Sequence, residues 1–144
     1  MVAGVIRRLE GITYWVIDDR KEIRRFINTY IRREWEEDNR SDGLDSRKDD
    51  WLRSLARREW RLRDIRMERV RLNPVMMASP VFASRLKQRR EEMQHSITDY
   101  GAVIWPLVLR GEDYMLKDGY CRFTTLRSMG MRKVLAYVGS MPGT

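Results

Sequence analysis

The chain has 144 residues, with 42% hydrophobic and 35% charged side chains, enough for one compact domain or for one domain plus a helical extension. One cysteine, Cys121, and one histidine, His95, exclude an internal disulfide framework, a cysteine-rich zinc site and a histidine-built metal centre. The net charge of +8 is uneven: residues 1–60 carry 14 Lys/Arg against 13 Asp/Glu, and residues 61–144 carry 15 against 8, which suits the C-terminal portion to phosphate-bearing partners.

No run approaches the roughly 20 apolar residues that a membrane span needs. Arginines follow the short apolar start over residues 2–6, the wrong order for a secretory leader, so a cytoplasmic location is expected. Residues 12–17 are β-branched and aromatic and stop at Asp18-Asp19, which predicts a short strand. A helix follows, because Ile23, Phe26, Ile27, Tyr30 and Ile31 recur at helical spacing, with Trp35 extending the stripe and Arg24, Arg25, Arg32 and Arg33 opposite. Residues 36–50 are almost wholly polar, contain the turn signal Ser41-Asp42-Gly43, and read as a loop. Asp49 or Asp50 caps a second helix that buries Trp51, Leu52, Leu55 and Ala56, and extended structure begins near Trp60.

Ile65, Met67, Val70 and Leu72 belong to an extended run that ends at Asn73-Pro74. Residues 75–83, with Pro80 among small side chains, read as an irregular loop. A helix over 84–100, capped by Ser84 and closed by Gly101, turns Leu86, Met93 and Ile97 inward. Strands over 103–109 and 114–117 flank the turn Arg110-Gly111-Glu112-Asp113. A helix over 120–129 ends at Gly130, and a last strand covers 134–138. The organisation expected is a strand plus helical extension over 1–60, then an α+β domain over 61–144. Trp35, Trp51 and Trp60 either pack against that domain or dock another subunit.

Several short motifs occur in a fixed order: Asn73-Pro74, Ser96-Ile97-Thr98-Asp99-Tyr100-Gly101, Trp105-Pro106-Leu107-Val108-Leu109, Asp118-Gly119-Tyr120-Cys121-Arg122, Leu126, Met129-Gly130-Met131 and Ala136-Tyr137-Val138. The set resembles the ParB/sulfiredoxin-like (ParB N-terminal-like) domain family over roughly residues 61–140. The resemblance implies a small mixed sheet with packed helices, preceded here by a mainly helical N-terminal extension. The family includes partition proteins that bind CTP and DNA, sulfiredoxins that use ATP, and nucleotide-dependent kinases of free serine. The free-serine kinases look nearest, through Ser96-Ile97-Thr98, Trp105-Pro106 and Asp118-Gly119. This chain departs from them at Tyr120 and Cys121, where they carry two histidines, and at Met76-Met77, where they place a catalytic glutamate. It departs from sulfiredoxins by one position, because Cys121 stands in place of their histidine and Tyr120 in place of their cysteine.

The family's shared device is the turn before the helix at residues 118–122. Glycine there lets the backbone approach a phosphate, the first helical N–H groups and the dipole face it, and an arginine adds a fork of donors. What the resemblance implies is a nucleotide-binding protein with kinase-like phosphotransferase or nucleotide-hydrolysing activity. It would use ATP or ADP, with CTP as a further candidate, together with Mg²⁺ and a small hydroxylated metabolite. Gly119, Tyr120, Cys121 and Arg122 would hold the nucleotide, and Thr124 and Thr125 would add hydroxyls. Asp118 would hold Mg²⁺ or take a proton, with Glu68 as a second catalytic candidate. The alternative is a non-catalytic nucleic-acid-binding or regulatory module, in which Arg85, Lys87, Arg89 and Arg90 meet a phosphate backbone or else pair with Glu91 and Glu92 on a solvated face. His95 is either a surface residue or part of the site, and Cys121 either a buried filler or a thiol activated by the helix start.

Overall fold

The computed structural model describes residues 4–143. The chain opens with an antiparallel hairpin, β1 (Val5–Leu9) and β2 (Ile12–Val16), whose two-residue turn places Glu10 at φ 51° and Gly11 at φ 81°. Positive φ at both central positions is the geometry that matches strand twist in a tight hairpin. The strand over 5–9 was not expected. Its residues are mostly exposed, so it lacks the alternation that marks a half-buried strand, and the Glu-Gly turn is its one local signal.

Asp19 caps α1 (Arg20–Phe26), which passes through a π-helical turn (Ile27–Ile31) into α2 (Arg32–Ser41). Within that region Asn28 Nδ2 donates to the Arg24 carbonyl at 2.9 Å and Thr29 Oγ1 to the Arg25 carbonyl at 2.6 Å. Side chains competing for the helix's own carbonyls widen the turn locally. The expected loop over 36–50 is corrected in its first part, since α2 continues to Ser41. A polar, charged stretch is a good helix former when i,i+4 pairs such as Arg32–Glu36 support it. Asp49 accepts from Trp51 N and Leu52 N and caps α3 (Asp50–Ser54) as expected.

β3 (Glu59–Arg66) leads into a 3-10 turn (Met67–Arg69), so the extended run stops earlier than expected. Residues 75–83 are not an irregular loop: Asn73 caps the short α4 (Pro74–Met77), and Ser79, not Ser84, caps α5 (Pro80–Tyr100). Each helix has proline at its first position, where the missing N–H costs nothing. Gly101 ends α5 in the left-handed conformation, as expected. The chain then forms β4 (Leu107–Arg110), β5 (Leu116–Asp118), α6 (Tyr120–Ser128) and β6 (Lys133–Ser140).

The fold is α+β. Four strands make one mixed sheet in the order β3-β6-β4-β5, with only the β4–β6 pair parallel. That parallel pairing requires a crossover, supplied by β5 and α6. Successive β4 residues point to opposite faces: Leu107 and Leu109 enter one core, and Val108 the other. The first core combines β2, α5, α6 and the sheet through Tyr14, Val16, Leu86, Ile97, Phe123 and Leu126. The second joins α1, the π turn and α3 to the opposite face through Ile23, Ile27, Leu52, Trp60 and Tyr137. Residues 1–60 and 61–144 therefore contribute to both cores.

Trp51 and Trp60 are buried in the second core, and Trp35 packs against it with its Nε1 donating to the Lys117 carbonyl at 2.9 Å. The docking role weighed for these tryptophans gives way to internal packing. Edge-on Trp35–Trp51 and Trp51–Trp60 pairs, at 5.4 and 6.2 Å between ring centres, tie the helices to the sheet. No described helix is long and apolar enough to cross a membrane.

Candidate functional site

The start of β4, the end of β5 and the π turn meet around a cavity of about 620 Å³, lined by Trp15, Phe26, Tyr30, Ile31, Glu34, Trp105, Asp118 and Arg122. Trp105 packs 5.3 Å from Trp15 and 4.9 Å from Phe26, and Phe26 lies 5.8 Å from Tyr30, measured between ring centres. The aromatic wall is thus continuous. Trp105 and Tyr30 are 42% and 57% exposed, so their rings stay open to a ligand. Tyr30 lies within the π turn and lines the cavity. Such turns recur at functional sites.

The polar side of the cavity is built on the glycine turn. Gly119 sits at φ 108°, and a Cβ there would lie 2.6 Å from Leu107 and 2.8 Å from the Arg122 guanidinium. Glycine is therefore required by conformation and by the close approach of Arg122. The guanidinium donates to the Trp105 carbonyl at 3.2 Å, to the Pro106 carbonyl at 3.1 Å and to Asp118 Oδ2 at 2.6 Å. No side chain caps the start of α6. Partial desolvation, and then the nearby Asp118 charge, raise the pKa of Glu34 above the usual carboxylate range.

Asp118, Gly119 and Arg122 come together as the sequence predicts. The other expected residues are placed differently. The Tyr120 ring lies in the first core, where its hydroxyl accepts from Asn73 N at 3.0 Å and its ring packs on Phe82. Thr124 and Thr125 are buried and donate their hydroxyls to helix carbonyls, to Tyr120 at 2.9 Å and to Cys121 at 2.7 Å, which corrects their expected role as ligand donors. Burial pushes the half-buried Cys121 thiol up, and the side chain packs against the first core. Glu68 lies exposed on the 3-10 turn, 3.5 Å from Arg66, and does not line the cavity. His95 is on the open face of α5, 2.5 Å from Asp99.

Arg85, Lys87 and Arg89 are exposed on α5 and Arg90 is partly covered; none of the four forms an ion pair with Glu91 or Glu92. Sequence reasoning missed Glu34. It falls four residues after Tyr30 and seven after Ile27, a lone carboxylate on the apolar stripe, and that position was its signal.

Sheet, glycine turn and cavity define a small α+β domain with a cavity whose aromatic wall faces a guanidinium–carboxylate pair. Two solved structures of pNOB8-like ParB N-domains are similar to this chain at 18% identity, with TM-scores of 0.43 and 0.40 over 57% of its length. The likeness covers 30% and 28% of those chains. No family model and no curated protein matches the chain.

Proposed function

We propose that the chain is a nucleotide-binding module that acts as a phosphotransferase on a small hydroxylated metabolite. The supporting observation is the cavity itself, where Trp15, Tyr30 and Trp105 stand opposite Arg122, Asp118 and Glu34. A nucleobase stacks on the exposed rings, a contact worth about 1–3 kcal/mol per base. The phosphates then reach the Arg122 fork and the uncapped start of α6. Asp118 and Glu34 are two carboxylates on one cavity, and no described group of three or more acidic, His or Cys side chains is placed to hold a metal. That donor set fits Mg²⁺, which is commonly held by one or two carboxylates plus the substrate's phosphates. Bound there, Mg²⁺ would neutralise charge developing on the transferred phosphoryl group. Asp118, whose Oδ2 pairs with Arg122, would be the carboxylate that holds Mg²⁺, and Glu34, whose proton affinity is raised, takes the acceptor's hydroxyl proton.

Calorimetric titration with ATP, ADP and CTP, each with Mg²⁺, tests the reading. Arg122→Lys keeps the charge and loses the fork, and Trp105→Leu loses the stacking face; each is expected to weaken binding about tenfold. Absence of binding to all three nucleotides overturns the proposal, and wild-type affinity in both variants removes the site assignment. A second reading, nucleic-acid contact along α5, draws on the unpaired Arg85, Lys87 and Arg89. Binding that is independent of nucleotide and falls steeply with salt, and that is lost in Arg85→Gln/Arg89→Gln, would favour it.

A further inference from the structure

A second cavity, of about 420 Å³, opens between β1, the start of α1 and β3; it is lined by Arg7, Asp18, Arg20, Arg61, Leu62 and Arg63 and shares no residue with the aromatic cavity. Four guanidiniums thus converge on one cleft with a single carboxylate. All four arginines are exposed, and no hydrogen bond or ion pair joins any of them to a described acidic side chain. Gathering four like charges around one carboxylate leaves a net repulsion in the folded state, and a bound anion relieves it.

The arginines come from three elements distant in sequence. The pleat of β3 puts Arg61 and Arg63 on the same side of the strand, about 6.6 Å apart along it. That spacing suits separate phosphoryl groups of one polyanion better than a single phosphate. Arg7 on the hairpin and Arg20 at the start of α1 complete the lining. Asp19 caps α1, and Asp18 is the one carboxylate in the cleft, opposing an anion there.

We propose that this cleft is a phosphate-binding site for a polyanion carrying successive phosphoryl groups. The two sources of that chemistry, a free oligophosphate and a nucleic-acid backbone, are separated by two probes: inorganic tripolyphosphate, which has no base to engage the aromatic cavity, and a short fluorescein-labelled DNA oligonucleotide. Arg61→Gln/Arg63→Gln is expected to lower affinity about tenfold, and to reduce the salt dependence of oligonucleotide binding by about two phosphate contacts. Removing two of four clustered positive charges at exposed positions is expected to leave the thermal melt undiminished or to raise it, so a loss of affinity there is not a loss of fold. Asp18→Asn is expected to bind several-fold more tightly, a gain that a damaged fold does not produce.

For tripolyphosphate, Arg85→Gln/Arg89→Gln on α5 is the comparison variant and is expected to leave that affinity unchanged. A loss confined to tripolyphosphate identifies a compact phosphate as the ligand, and a loss confined to the oligonucleotide identifies a nucleic-acid backbone. Wild-type affinity for both probes in the Arg61/Arg63 variant, no gain in Asp18→Asn, failure of the wild type to bind either probe, or a loss only in the α5 variant overturns the proposal.

Discussion

The guanidinium of Arg122 reaches two main-chain carbonyls and one carboxylate, so it holds the loop before β4 as well as facing the cavity. Removing it outright would leave those acceptors short of a donor at a cost of about 1–3 kcal/mol, which is why the lysine variant is the cleaner probe of ligand binding. Two buried tyrosines act at the same scale. Burial pushes Tyr14 and Tyr137 up to about 12, each by desolvation first, and the Tyr137 hydroxyl accepts from Ile17 N at 2.9 Å. The folded-state pKa of both exceeds the unfolded value of about 10. Their stabilising effect is therefore complete below pH 10 and is lost as pH rises toward 12. Denaturant melts between pH 8 and pH 12 are expected to show this loss, and Tyr137→Phe to reduce its size while lowering stability at neutral pH, since Ile17 N loses its acceptor.

Arg58 shows how elements are locked together. It lies where α3's 3-10 continuation (Leu55–Arg57) meets β3, and its side chain is 5% exposed. It donates to Ser54 Oγ at 2.8 Å, to the Gly139 carbonyl at 2.8 Å and through both terminal nitrogens to Glu112 at 2.5 and 3.0 Å. One side chain thus pins α3, β6 and the β4–β5 turn. Arg58→Ala is expected to cost about 3 kcal/mol, the low end for a broken buried pair because Glu112 is partly in water. Chemical denaturation measures it; a loss within about 0.5 kcal/mol, the range of ordinary surface substitutions, would contradict this role.

Across the whole molecule, both faces of one sheet are covered by elements from both ends of the chain. Tyr14 and Val16 sit in the same core as Phe123 and Leu126, and Trp60 meets Tyr137 in the other. Such sharing predicts one cooperative transition. Four of the five tryptophans, Trp15, Trp35, Trp51 and Trp60, lie in residues 1–60, so fluorescence reports chiefly on that portion and far-ultraviolet circular dichroism on all of it. The two denaturation curves are expected to coincide, and separated midpoints would show independent units.

Local chemistry was legible wherever a short stretch decides the outcome. Asp49 before Trp51-Leu52, Gly101 after α5, and the unbroken apolar run of β6, which is buried on both faces, could be read directly. The Asp118-Gly119 turn with Arg122 one helical turn later is legible through the family resemblance, and the structure supplies the reason for glycine there, a φ of 108° and the close approach of Arg122. What only the tertiary structure decided depends on partners far along the chain. Tyr120, Thr124 and Thr125 belong to the same motif, yet packing turns their side chains into the core. Glu34 on α2 and Asp118 at the end of β5 share one cavity, and Arg7, Arg20, Arg61 and Arg63 share another because a hairpin, a helix start and an edge strand are folded together. A sequence fixes which charges and rings exist and how neighbours within a turn are spaced; the burial of apolar surface from distant segments determines which of them share a cavity.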